Sequence, residues 1–357
     1  MTSSSIILGN DAFDIIQPIV VYGLSFPISV IGLVFNVINT AVFLKIGVND
    51  SVSVSLVALF VADFVFLLLQ AYRPIAQMLM KLGLTHTWSV HPTQIATFAS
   101  SYISIFYLIS TLLTTYIALA RCLCVALAFR FQRIFTVNQA RIVVVSVYIG
   151  ALLSHIPPIL SQRLVWRSKV NTPKAILVVE RVDHDTFESF SKLHNIVNRT
   201  LLPYSCLAIC ILCLIVLTVK LRSVSQFRAN ATRSASKPDP RLSHGKHELD
   251  NNAEKEQITS SSPSALSIKE IQLIKAVFLL CAIFVCSASL RAALGIAVVW
   301  MPQLETEPRY RSLYAICMEI IGAFMVVNCA VNFIIFYHYN TSFRQTLTSL
   351  TKRSVKK

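Results

Sequence analysis

The chain has 357 residues, of which 55% are hydrophobic and only 14% are charged. Soluble proteins carry about 25% charged residues, so this composition argues against a soluble fold and favours the lipid bilayer as solvent. The formal net charge of +15 raises the question of nucleic-acid binding, but the basic residues gather in short loops and the tail, and we expect no nucleic-acid partner.

Apolar residues are concentrated in seven blocks. A helix needs about 20 mostly apolar residues to cross a bilayer, and the blocks meet that length. They lack the period-two alternation of a membrane β-barrel. The sequence therefore predicts an all-α membrane protein built as a seven-transmembrane helix bundle. The blocks lie at 18–44, 52–80, 94–128, 141–161, 195–221, 268–300 and 309–338.

The distribution of charge predicts the orientation of the chain. Residues 1–17 contain acidic residues but no Lys or Arg, whereas Lys45, Arg141 and the tail are basic. Positive charge in short loops is typical of the cytoplasmic side. We therefore expect an extracellular N-terminus at 1–17, a membrane domain at 18–340 and a cytoplasmic tail at 341–357.

Three connecting segments have their own patterns. Residues 223–266 are rich in Ser, Asn, Lys and Glu, which predicts a flexible, disordered cytoplasmic loop. Residues 175–182 (AILVVERV) are β-branched, which favours a short strand or hairpin lid. Residues 341–350 place Phe343 and two leucines on one side of a helix, which predicts a short amphipathic eighth helix on the inner leaflet.

Asp63 is the only acidic residue in the second block. An ionisable group inside a bilayer is costly and is a functional candidate by default. Asn36, Ser110, Asn328 and Asn332 lie in other blocks and are able to face it. Such a set suits a small hard cation or a water-filled hydrogen-bond network. Equally, these side chains could simply join helices by hydrogen bonds.

Several arginines also lie in or beside the blocks. Composition alone favours Arg121 as a side chain that extends to the cytoplasmic interface. Arg73, Arg199 and Arg291 lie where a cavity open to the outside would be, and a buried guanidinium needs a carboxylate or an anionic ligand. Glu319 is a candidate internal partner. The alternative, that these arginines reach the external interface, is weakest for Arg291, since apolar residues extend on both sides of it.

The polar residues and prolines match a known pattern in order and spacing. The motifs are GLVFNVIN, a Leu-x-x-x-Asp, LARC, two prolines, NCAVNFIIF and a Phe-Arg pair. Across residues 20–350 the chain resembles rhodopsin-like (class A) G-protein-coupled receptors, and its first loop and seventh block look like those of invertebrate, molluscan-type chemosensory or peptide receptors. The matching positions are Asn36, Leu59, Asp63, Arg121, Pro158, Pro203, Asn328, Asn332, Phe336 and Phe343.

The resemblance implies a plasma-membrane receptor, not an enzyme, that binds an extracellular chemical or neuropeptide ligand and signals to a heterotrimeric G protein. Coupling and switching would fall to Arg121, Asn332 and Phe336. An allosteric sodium ion, the only cofactor expected, would be held by Asp63, Ser110, Asn328 and Asn332. Structural roles are implied for Asn36, Leu59, Pro158, Pro203 and Phe343.

The expected ligand site combines the resemblance with the arginines. Ile103 occupies the position of the amine-anchoring Asp, which disfavours a monoamine, whereas the arginines suit an anionic ligand. The expected ligand-binding residues are Arg73, Ile103, Tyr107, Arg199, Leu290, Arg291 and Glu319.

The chain also departs from the family pattern at switch positions. Ala120 and Cys122 flank Arg121, Phe333 replaces the proline of the seventh helix, and CSAS replaces the Cys-Trp-x-Pro of the sixth. These departures leave open a receptor-like protein that no longer signals. A seven-span transporter or channel is the other alternative.

Overall fold

The computed structural model describes residues 10–84, 88–126, 136–168, 175–181, 190, 193–235 and 268–355. Its helices are Asn10–Pro18, Ile19–Ser25, Phe26–Ile46, Ser51–Lys81, Pro92–Ala126, Val137–Ser154, Ile156–Leu160, Asn195–Leu201, Leu202–Ala235, Ile268–Trp300, Gln303–Thr306, Arg311–Ala330, Asn332–Tyr339 and Thr341–Val355.

Seven helical spans in the described residues are long and apolar enough to cross a membrane. The prediction of seven apolar helices is therefore confirmed. We number them in chain order as the first to seventh spans: Ala12–Ile46, Ser51–Lys81, Pro92–Cys124, Val137–Leu160, Asn195–Arg222, Ile271–Trp300 and Arg311–Tyr339.

The first span starts earlier than its apolar block, because helix Asn10–Pro18 lies mostly within the segment expected as the N-terminal tail. A π-helical turn, Ile19–Ser25, follows, and Pro27 lies just after this turn, at the start of helix Phe26–Ile46. Proline lacks an N–H and clashes with the carbonyl four residues earlier, and a wider turn is one way to absorb this. At Gly47, φ is 105°, a value that favours glycine, and the helix ends before it.

Glycine also permits the close approach of three helices. A Cβ on Gly32 would lie 2.7 Å from the Cβ of Ala330 and 2.7 Å from Cδ1 of Leu67. Carbon atoms pack at about 3.5–4.0 Å, so any larger residue would push the first span away from the second and seventh.

Side-chain caps determine where the second and fourth spans begin. The carboxylate of Asp50 accepts hydrogen bonds from the backbone N–H groups of Val52 and Ser53, at 2.9 and 3.0 Å. Thr136 and Gln139 form a reciprocal capping box. Such caps satisfy N–H groups that have no partner within the helix.

The third span is the centre of the bundle and the fourth is peripheral. Burial reaches 67% of the most apolar stretch of the third span but only 11% of that of the fourth. The third span packs against the second, fourth, fifth and sixth, so it touches most of the other helices.

A two-stranded hairpin marks one end of the bundle, which we call the hairpin end. Strand β1, Gln162–Ser168, pairs antiparallel with β2, Ala175–Arg181, so the strand expected at 175–182 is confirmed. The hairpin is attached to the start of the third span, since Leu177 N–H donates to Ser89 O and Val179 N–H donates to Gln94 Oε1, both at 3.0 Å.

The seventh span is interrupted at Val331, inside the bundle, and helix Thr341–Val355 follows the span at the end opposite the hairpin. That this last helix is amphipathic and lies on a membrane surface stays a prediction. Helix Leu202–Ala235 continues past the fifth span, so the part of the expected loop at 223–235 is helical. The rest of that loop lies outside the described residues.

Candidate functional site

A polar centre joins three spans in the middle of the bundle. Asp63, which is 1% exposed, accepts a hydrogen bond on Oδ1 from Ser110 Oγ at 2.6 Å and on Oδ2 from Asn332 Nδ2 at 2.7 Å. Three of the four expected sodium-site residues therefore meet. A buried carboxylate needs compensation for lost hydration, and here the described donors to it are neutral.

No hydrogen bond joins Asn36 to Asp63 in the described structure. Its Nδ2 donates to Gly32 O at 2.9 Å and to Cys329 O at 3.0 Å. Because helix Arg311–Ala330 ends one residue later, the Cys329 carbonyl is among the last of that helix, where intrahelical partners are missing. Asn36 thus ties the first span to the backbone of the seventh. Asn328 is buried, but no hydrogen bond joins it to Asp63 in the described structure.

An aromatic cluster lies one turn from the polar centre. It consists of Phe43, Phe60, Phe336 and Phe343, all of them buried. Phe336 lies edge-on to Phe43 and Phe60, with ring centroids at 5.2 and 5.7 Å, and Phe343 lies 5.8 Å from Phe43. The cluster could not be predicted from the sequence, because a phenylalanine inside an apolar block carries no signal of which other ring it meets.

A charged layer lies towards the hairpin end. Arg73 Nη2 forms an ion pair with Glu319 Oε2, and their side chains are 35% and 20% exposed. The expected partnership is therefore present. Arg73 and Glu319 each lie about 12 Å from the hairpin end of their helix, and Arg291 about 14 Å, at a rise of 1.5 Å per residue. The charged side chains of the second, sixth and seventh spans thus lie at a similar distance from the hairpin end.

Arg291 is held differently from Arg73. Its guanidinium carbon lies 5.4 Å from the centroid of the Tyr107 ring, an arrangement that permits cation–π attraction. The ion pairs in the described residues, Arg73–Glu319 and Arg167–Glu180, do not include Arg291. Arg199 is exposed, and both it and Arg291 act electrostatically on Tyr314. The charge of Arg73 is therefore balanced by Glu319, whereas Arg199 and Arg291 both lie near one tyrosine. A pocket shared by the three arginines stays a prediction.

The remaining candidate residues occupy varied positions. Ile103 packs with Tyr107. Leu290 is 40% exposed and lies on the same side of its helix as the exposed Cys286, whereas Ser287 lies on the buried side. Adjacent residues of a helix point about 100° apart, so Leu290 and Arg291 face different directions. Arg121 is half-buried near the end of the third span opposite the hairpin.

Of the residues expected to be structural, Leu59 and Phe343 are buried in the core. Pro158 lies in the short helix Ile156–Leu160, after the fourth span turns at His155, and Pro203 lies just after the π-helical turn Asn195–Leu201.

The fold and its buried polar centre define the class of the protein. Seven long apolar helices, with ionisable side chains turned inwards, make it a multi-pass, all-α membrane protein. Neither a protein-family model nor a curated protein matches the sequence.

Proposed function

We propose that the protein is a seven-helix receptor of the plasma membrane, rhodopsin-like in type, that binds an extracellular chemical or peptide ligand and signals to a heterotrimeric G protein. The observation that carries this proposal is the hydrogen-bonded Asp63, which joins the second, third and seventh spans in the bundle interior. A buried network with more than one hydrogen-bonding arrangement is the kind of element whose equilibrium a ligand shifts through its differential affinity for two states.

In this proposal the hairpin end faces outwards and takes the ligand. Arg291 supplies the anchor, because it is the cation of the charged layer whose charge no described ion pair balances. Tyr107 beneath it adds an aromatic surface. A guanidinium beside an aromatic ring suits a ligand that carries a carboxylate and an apolar or aromatic body.

The polar centre has the donor chemistry for a sodium ion. The carboxylate of Asp63 and the hydroxyl of Ser110 supply oxygens, and no cationic side chain donates to Asp63 in the described structure. Asn332 would present its amide oxygen after a turn of the amide group, and Asn328 lies one helical turn away. A bound sodium ion would supply the positive charge that this buried carboxylate otherwise lacks.

The end opposite the hairpin would engage the G protein. Arg121 is half-buried at that end of the third span, within reach of a partner that approaches the bundle. The aromatic cluster joins the first, second and seventh spans to helix Thr341–Val355, so a shift of the seventh span would also change this end.

Nucleotide exchange on G proteins in cells that express the protein tests the proposal. The ligands are a panel of odorants and neuropeptides, each carboxylate paired with its methyl ester or amide. We expect carboxylates to be the active members, and Arg291→Leu to weaken the response about 10- to 100-fold, the range for one lost charge-assisted hydrogen bond.

Arg311→Leu is the matched control, since Arg311 is an exposed arginine at the same end. It should respond as the wild type does. An unchanged response of Arg291→Leu at normal surface expression would refute the ligand site. Ligand binding without nucleotide exchange would identify a receptor-like protein that no longer signals, and uptake of labelled ligand would identify a transporter.

A further inference from the structure

Two histidines meet where the fourth and fifth spans join at the hairpin end. The rings of His155 and His194 lie edge to face, with centroids 4.7 Å apart. His155 is 3% exposed and His194 is half-buried. We call these residues, with Ser154 and Asn198, the histidine junction. None of its members has a role in the polar centre or in the charged layer.

Backbone carbonyls determine which ring nitrogen carries hydrogen. Nδ1 of His155 lies 2.9 Å from Ala151 O, and Nδ1 of His194 lies 2.8 Å from Ser154 O. A carbonyl only accepts, so both Nδ1 atoms are donors and both Nε2 atoms are proton-free in the neutral rings. The second of these bonds links His194, next to the fifth span, to the backbone of the fourth.

Asn198 fits the same tautomer. Its Nδ2 lies 2.8 Å from His194 Nδ1, which would set two donors against each other, while its Oδ1 has no partner. Turning the amide over removes the conflict between the two donors, because Oδ1 then accepts from Nδ1–H, and the 3.4 Å hydrogen bond from Nδ2 to Ser154 O is given up. The neutral form of the junction is thus fully hydrogen-bonded at both Nδ1 atoms.

The charged form keeps both Nδ1–H hydrogen bonds, but it has neighbouring cations instead of a carboxylate partner among the described residues. Within the described residues, Arg199 acts electrostatically on both rings, and His194 acts on His155. Arg199 is a cation, and His194 becomes one when it takes up a proton. Burial lowers the pKa of His194 below its ordinary value of 6.5; Arg199 adds to the effect and the hydrogen bond to Ser154 opposes it. The closed junction therefore favours neutral rings.

We propose that His155 and His194 form a proton-sensing site, which holds the fourth and fifth spans together at neutral pH and releases them in mild acid. In the released junction the histidines titrate near their ordinary pKa, about 6.5. As the pH falls through this value, the released form takes up protons more readily than the closed form and gains population. The stabilisation is thus present above pH 6.5 and is lost below it.

One consequence reaches the proposed ligand site, and it alone rests on the proposed function. Arg199 follows Asn198 directly, so proton uptake at the junction would displace an arginine at the hairpin end. Acid would then change the affinity for an anionic ligand as well as the packing of the two spans.

Hydrogen–deuterium exchange of the full-length protein in detergent micelles tests the proposal at pH 7.5 and 5.5. Exchange times are scaled for the intrinsic effect of pH. We expect peptides from 150–160 and 195–206 to exchange faster in acid, by up to about tenfold for each proton and pH unit below 6.5. Peptides from 341–350, at the end opposite the hairpin, should not change.

Three variants sharpen the test. His194→Gln keeps hydrogen-bonding capacity but does not titrate, so most of the acid response should disappear. Arg199→Gln removes the fixed cation and should weaken the response. His338→Gln, an exposed histidine at the opposite end, should respond as the wild type does.

Equal scaled exchange of the wild type at both pH values would overturn the proposal. So would a full acid response in His194→Gln. If His194→Gln is not folded at pH 7.5, the test rests on Arg199→Gln. An acid response of exchange in that variant as large as in the wild type would then overturn the proposal.

Discussion

The polar centre and the aromatic cluster lie one helical turn apart, yet they hold the bundle by different physics. Asp63 and Phe60 share the second span, and Asn332 and Phe336 share the seventh. In one layer, a carboxylate accepts two directional hydrogen bonds. In the other, buried rings pack edge to face without a polar partner.

The difference separates stability from responsiveness. Packed rings contribute through buried volume, and their loss leaves a cavity whatever the ionic conditions. The contribution of a buried carboxylate with neutral donors to the free energy of folding depends on whether a proton or a cation binds to it. We therefore expect the aromatic cluster to set the stability of the fold, and the polar centre to set its dependence on conditions.

The largest effect should come from Phe336→Ala. Removal of this buried ring should cost about 3–5 kcal/mol, because the rings around it cannot close the cavity. Thermal unfolding of the purified protein measures this as a large fall in Tm. Tyr337→Ala is the control, since that side chain is 45% exposed. A similar fall in Tm in both variants would show that the buried ring stabilises the fold no more than an exposed ring does.

A smaller effect is expected from sodium at the polar centre. If sodium chloride is present at ten times the dissociation constant, it should stabilise the wild type by about 1.4 kcal/mol relative to choline chloride of equal ionic strength. Asp63→Asn should remove this difference, because a neutral amide does not replace the carboxylate. The measurement is Tm in the two salts, and equal Tm values in the wild type would rule out the ion.

The smallest effect concerns the charged layer. Glu319→Gln leaves Arg73 with a neutral partner, and a partly exposed pair of this kind is worth about 1 kcal/mol or less. A double-mutant cycle with Arg73→Gln, followed by thermal unfolding, measures the coupling between the two side chains. Strictly additive losses would mean that the ion pair does not stabilise the bundle.

Much of the architecture could be predicted from the sequence, because the bilayer imposes a length and a composition on each span. The hairpin strand at 175–182 was also predictable, from its β-branched residues. The helical extension of the fifth span to Ala235 was not, because Ser, Asn and Lys are tolerated on a helix and favour loops only weakly.

The candidate site was predicted only in part. The meeting of Asp63 with Ser110 and Asn332, and of Arg73 with Glu319, agrees with expectation because a polar side chain in hydrocarbon must face inwards to find a partner. The partner of Asn36 and the exposure of Leu290 could not be predicted, since local sequence does not specify the rotation of a helix about its axis.

The sequence by itself determined that this chain forms seven apolar helices with a few polar residues inside them, because hydropathy is a property of each segment alone. Only the tertiary structure decided which polar groups pair, that Arg291 lies over Tyr107, and that His155 meets His194. Those contacts join residues far apart in the chain, and they depend on helix rotation and tilt, which the packing of the whole bundle sets.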